Sequence, residues 1–165
     1  MAKDTLKARI WHKIIHKLNA SGLEYVLVGA AALVAYGLPR STLDIDIYIP
    51  AKTGSLRKIF QIAHTLGLAS QQEAILKIAH QPNLFIGQWI CFSYKGQDVL
   101  DVYLDKEKEF KKLYRNSKRK KDKEISIRIA SLHDLMAMKK ESGRPIDLAD
   151  IKLIEEAKKY KINLG

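Results

Sequence analysis

The chain has 165 residues, one cysteine, 47% hydrophobic residues and a formal charge of +11. One cysteine excludes an intramolecular disulfide and a cysteine-cluster zinc site, and no apolar run approaches the ~20 residues of a membrane span. The charged opening MAKDTLKARIW lacks the apolar stretch of a secretory signal, so the expectation is a cytoplasmic protein, one domain over 1–165 with a real hydrophobic core, and a polyanionic partner suited to its charge.

Leu6, Ile10, Ile14, Ile15 and Leu18 make a helical apolar stripe over residues 4–20, closed by Ser21-Gly22. Residues 24–28 read as a short strand. Gly29 then opens the Ala-rich helix AAALVAY, which ends at Gly37 and Pro39. Residues 44–49 alternate as a strand, 54–67 form a second amphipathic helix, and 70–82 read as a short helix ended by Pro82. Residues 89–94 and 98–104 form an antiparallel hairpin around Lys95-Gly96-Gln97, with Cys91 as a small buried hydrophobe in an apolar run. A helix over 106–116 and a strand over 125–129 follow. Ser131 caps the next helix with Asp134 at its third position, and Pro145 opens the last one, to about Tyr160. The alternation argues a mixed sheet with flanking helices.

The candidate chemistry centres on Asp44 and Asp46. Side chains two apart on a strand share a face, so both carboxylates point one way and Ile45, Ile47 and Ile49 point into a core. At ~3.3 Å per residue their Cα atoms lie about 6–7 Å apart, close enough to share a divalent ion. Without a cation, two such carboxylates repel and one pKa rises. Asp101 lies among apolar strand residues, where a charge is costly unless paired or on metal. If its strand neighbours 44–49, it adds a third carboxylate, and a three-carboxylate site with phosphate oxygens suits Mg²⁺. Gly29, between strand and helix, lets a phosphate approach the backbone, and Arg40 could neutralise a triphosphate or pair with an acid.

The segment 106–123 carries ten Lys and Arg against three acids, a net +7, centred on Lys118, Arg119, Lys120 and Lys121. It reads either as a solvated segment or as a grip on RNA phosphates at the rim of the cleft, with Tyr114 stacking on a base.

Gly29-Ala30, Gly37, Arg40, Thr42 and Asp44-Ile45-Asp46 resemble the signature of the DNA polymerase β-like nucleotidyltransferase superfamily. The AbiEii-like branch, the nucleotidyltransferase toxins of abortive-infection systems, is the group they are most similar to. Residues 131–150, with Lys139, Arg144, Asp147 and Asp150, resemble that group's lysine-bearing helix and its Arg-x-x-Asp-x-x-Asp ending. The likeness covers about residues 8–155, with a motif core at about 22–105 and a C-terminal helical part at about 131–161. It implies an α/β (α+β) nucleotidyltransferase fold with a mixed sheet of about five strands flanked by helices. It also implies metal ligation by Asp44, Asp46 and Asp101, catalytic roles for these three and Lys139, and nucleotide contacts from Gly29, Ala30, Arg40, Thr42, Arg144 and Asp147. Ala30 departs from the Gly or Ser common there. It removes a hydroxyl but keeps the backbone N–H. From the residues alone, Lys139 reads as an exposed lysine on an amphipathic helix, Asp147 as a helix-dipole partner, and Asp150 as a partner for Arg144.

The expected function is transfer of a nucleoside monophosphate from ATP, GTP or another NTP to an acceptor hydroxyl with Mg²⁺ or Mn²⁺. An RNA 3′ end, tRNA included, is favoured, in the setting of a toxin with a cognate antitoxin protein. The alternatives are a catalytically silent module of the same fold that binds RNA or a protein, and a transferase acting on a small molecule.

Overall fold

Ile10, Ile14, Ile15 and Leu18 are buried along one side of α1 (Ala2–Ala20), because residues spaced by three and four fall on one helical face. The computed structural model describes residues 2–122 and 124–160. Within these, the side chains of residues 2–7, Leu6 among them, and of residue 122 lie outside the description. After α1 come β1 (Val26–Val28), α2 (Gly29–Ala35), β2 (Ile45–Pro50) and α3 (Thr53–Leu66). They are followed by β3 (Trp89–Tyr94), β4 (Gln97–Asp105), α4 (Glu107–Asn116), β5 (Lys118–Asp122), β6 (Ile125–Ile129), α5 (Leu132–Ser142) and α6 (Pro145–Lys159).

The six strands form one mixed sheet in the order β3-β4-β2-β1-β6-β5. β2 runs parallel to β4 and antiparallel to β1, while β1 runs parallel to β6. Strand alternation sorts the side chains. Ile45, Ile47, Ile49, Ile90, Phe92, Leu100, Val102 and Leu104 are buried on one face, each removing apolar surface worth about 1.5–3 kcal/mol from water. Asp46, Tyr48, Asp101, Tyr103, Trp89 and Cys91 occupy the other face. The β3–β4 turn is two residues, Lys95 at φ 50° and Gly96 at φ 76°, the paired left-handed geometry that matches the twist of a hairpin.

Three expectations change. The sheet has six strands rather than about five, because the basic run forms β5, antiparallel to β6. Lys118 to Lys121 have no apolar alternation, so their pattern gives no strand signal, yet charged residues suit a sheet edge that must not pair with other chains. Residues 70–82 hold a 3₁₀ turn over Glu73–Ile78, and Pro82 opens a second one, Pro82–Phe85. A first-turn proline needs no N–H partner. Cys91 is exposed rather than buried, since it alternates with the buried Ile90 and Phe92.

The Ser131 cap forms as expected: the Asp134 backbone N–H donates to Ser131 Oγ at 3.1 Å. α5 ends at Gly143, and α6 folds back against α5. This helical pair forms the wall opposite the polar face of the sheet.

Candidate active site

Register brings the carboxylates together. Val28, Asp46, Asp101 and Cys91 stand opposite one another in a row across β1, β2, β4 and β3. Asp44 precedes β2 by one residue and is held from the side, where Thr42 Oγ1 donates to the Asp44 backbone oxygen at 2.8 Å. Ligand oxygens of Asp44, Asp46 and Asp101 lie within 4.8 Å of one another. No described cation forms an ion pair within 4 Å of any of the three.

The electrostatics record that lack. Burial, then the charges of Asp44 and Asp101, push the Asp46 carboxyl up to about 7, against weaker opposition from Lys139 and Arg144. Asp101 is raised chiefly by burial, and its Oδ1 is buried with no hydrogen-bond partner. A buried, unpartnered carboxylate oxygen is costly and suits a ligand that supplies positive charge. Three hard oxygen donors fit Mg²⁺ or Mn²⁺. The exposed Cys91 thiol, beside this cluster, is pushed up to about 12 by desolvation and by the neighbouring Asp101, so it stays protonated.

Gly29 is required by this arrangement. It sits at φ +66°, and a Cβ there would run into the Asp46 carboxylate. The turn therefore brings backbone against the carboxylate row, which only glycine permits. Ala30 follows it as the second residue of α2, half-buried.

A cavity of about 410 Å³ opens between this face and the α5–α6 pair, with Asp46, Asp101, Lys139, Arg144, Asp147 and Trp89 in its lining. Lys139 is only 7% exposed, a correction to its reading as an ordinary surface lysine. Leu135 and Lys139 are one turn apart on α5 and turn inward together. Lys139 Nζ donates to Asp150 Oδ2 at 2.6 Å and lies 3.6 Å from Asp147 Oδ1. Arg40 Nε donates to the other Asp150 oxygen at 2.9 Å, and Arg144 Nε donates to Asp147 Oδ2 at 2.7 Å. Asp150 thus pairs with Arg40 and Lys139, not with Arg144 as expected. The Arg144 hydrogen bond holds the Asp147 carboxyl below the usual range. Arg40 is among the residues that point at Asp150 and Ser41 rather than into the cavity lining.

The basic strand stands elsewhere. β5 is the sheet edge opposite β3, and Lys118 to Lys121 are not in the lining of the carboxylate cavity. Lys120 and Lys121 border a different, more apolar cavity beside α1 and α2, and Lys120 lies over the Tyr36 ring. Tyr114 is covered by Arg128 at 4.1 Å, which takes the face expected to stack on a base. Sequence reasoning missed Tyr48, Tyr103 and Trp89. Part of the signal was present: Asp46 and Asp101 are each followed two residues later by a tyrosine.

A mixed sheet that sets a glycine turn against three clustered carboxylates, faced by a lysine-bearing helix, has the fold of a nucleotidyltransferase. The chain belongs to the family described as "Nucleotidyltransferase of unknown function (DUF6036)", whose profile matches residues 11–164. Its fold is similar to the crystal structure of a proposed nucleotidyltransferase from Thermotoga maritima. The TM-score is 0.57 at 14% identity, covering 93% of this chain and 91% of that one. No curated protein matches it in sequence. Among the described residues, no helix is long and apolar enough to cross a membrane.

Proposed function

We propose that the protein transfers a nucleoside monophosphate from an NTP, ATP or GTP foremost, to an acceptor hydroxyl. The new bond joins the acceptor oxygen to the α-phosphorus, the α–β phosphoanhydride bond breaks, and pyrophosphate leaves. The observation that carries this reading is the uncompensated Asp44–Asp46–Asp101 cluster, with the unpartnered Oδ1 of Asp101, in one cavity with Lys139 and Arg144.

Mg²⁺ or Mn²⁺ held by Asp44, Asp46 and Asp101 would supply charge neutralisation and acidify the acceptor hydroxyl. Asp101 stands where it can accept that hydroxyl proton. Lys139 and Arg144, on the opposite wall, face the triphosphate and the negative charge that develops in transfer. Asp147 orients both cations. Gly29 and Ala30 offer backbone to the phosphates close to Asp46. Thr42 acts through Asp44, and Arg40 through Asp150.

RNA, tRNA included, is the acceptor we favour, at its 3′ end. The +11 charge and the basic edge strand of Lys118, Arg119, Lys120 and Lys121 support it. Membership of the AbiEii-like toxins, with an antitoxin protein as partner, rests on the motif resemblance. The test is incubation with labelled NTPs, Mg²⁺ and total RNA, in parallel with Asp46→Ala. Label on RNA with the wild type alone is the expected result. Label on protein would overturn the RNA acceptor, and absence of both NTP binding and transfer would make the protein a silent module of this fold.

A further inference from the structure

Two residues along each strand from the carboxylate row lies a second row on the same face, and it is aromatic. Tyr48, Tyr103 and Trp89 are register partners across β2, β4 and β3. Tyr48 and Tyr103 follow Asp46 and Asp101 by two residues, and Trp89 on the antiparallel β3 precedes Cys91 by two, a displacement of about 7 Å. Their rings form a continuous surface: Tyr48 and Tyr103 at 4.4 Å between centroids, Tyr103 and Trp89 at 4.9 Å, and Tyr48 and Trp89 at 5.9 Å.

This surface is incompletely covered. Trp89 is 41% exposed, and it lines the same cavity as Asp46 and Asp101, with Tyr48 beside it and Met138 on the helical wall. The strand that carries it is fixed from outside. Gln72 Nε2 donates to the Trp89 carbonyl at 2.8 Å, and the Cys91 N–H donates to Gln72 Oε1 at 2.9 Å. This side-chain amide fixes the backbone of the edge strand from which the indole projects. An exposed indole in a cavity whose other end holds carboxylates and cations calls for a ligand with one flat apolar part and one anionic part.

We propose that Trp89, backed by Tyr103 and Tyr48, is the stacking platform for a nucleobase whose phosphate lies at the Asp44–Asp46–Asp101 end. The proposal rests on the nucleotidyltransferase reading and deepens it by assigning the base subsite. Rings stack on any base, so the platform favours nucleotides over bare polyphosphates with little choice among bases. The base comes from the donor NTP or from the terminal nucleotide of the acceptor.

Calorimetric titration with Mg²⁺ separates these cases. The ligands are ATP, GTP, CTP, UTP, inorganic tripolyphosphate and a short single-stranded oligoribonucleotide. The proteins are the wild type, Trp89→Ala and Trp89→Phe, with thermal melts to confirm that the exposed substitution leaves the fold intact. Trp89→Ala is expected to weaken NTPs about tenfold, and Trp89→Phe by less than about threefold, with tripolyphosphate unchanged in both. Weakening confined to the oligoribonucleotide would also support the platform and assign it to the acceptor's base. Wild-type NTP and oligoribonucleotide affinities retained in Trp89→Ala would overturn the platform and leave the transferase reading standing. A wild type that binds no NTP would overturn both.

Discussion

Two groups of charge face each other across the cleft, and they are built on opposite terms. On the helical wall, Asp150, Lys139, Asp147 and Arg144, joined by Arg40 from the loop before β2, form an alternating chain in which every carboxylate has a cation within 2.9 Å. On the sheet, Asp44, Asp46 and Asp101 crowd together with one oxygen lacking any partner. A buried pair loses stability when one member is removed, because the other is left uncompensated. A cluster of like charges gains stability when one is removed. The first group balances its own charge, whereas the second holds a deficit of positive charge that a metal ion would fill.

Substitutions that push the two groups in opposite directions break or sharpen this contrast. The largest effect belongs to Asp46→Asn, which should lower nucleotidyl transfer by at least about 10³-fold in a label-transfer assay while leaving the protein folded. Asp150→Ala should instead cost about 3 kcal/mol in urea unfolding, since Lys139 and Arg40 lose their shared acceptor. Gly29→Ala should cost about 2 kcal/mol, and its divalent-ion affinity should fall with it, because the added methyl displaces the Asp46 carboxylate. If Gly29→Ala destabilised the fold without touching metal affinity, the turn would serve chain geometry alone.

The smallest effect is a pH dependence. Asp46 ionises near 3.8 in the unfolded chain and at about 7 in the fold. The stability tied to its protonated form is therefore complete below about pH 4 and lost as pH rises through about 7. Asn mimics the protonated form at every pH. Thermal melts should thus coincide near pH 4 and diverge by pH 8, with Asp46→Asn higher by several degrees in metal-free buffer. Mg²⁺ should close that gap by raising the wild type alone.

The half of the site carried by the sheet was legible in the sequence because strand periodicity is local. Asp44, Asp46 and the inward Ile45, Ile47 and Ile49 follow from alternation, and Gly29 from its place between strand and helix. That Asp101 joins them depended on which strands are neighbours, which alternation cannot say. Lys139 was misread because its acids lie on α6, beyond the Gly143 turn, and a helical stripe does not reveal what faces it. β5 went unseen for the opposite reason. A strand of consecutive charges has no periodicity to read, and it exists because β6 offers it an edge. The aromatic row was overlooked since Tyr48, Tyr103 and Trp89 each look like ordinary strand residues until register aligns them.

The most direct test of the contrast is Mn²⁺ binding followed by electron paramagnetic resonance in the wild type, Asp46→Asn and Asp150→Asn. Expected are saturable binding in the wild type, at least about tenfold weaker binding in Asp46→Asn, and binding in folded Asp150→Asn that stays within about threefold of the wild type. Equal Mn²⁺ binding by the wild type and Asp46→Asn would contradict the contrast.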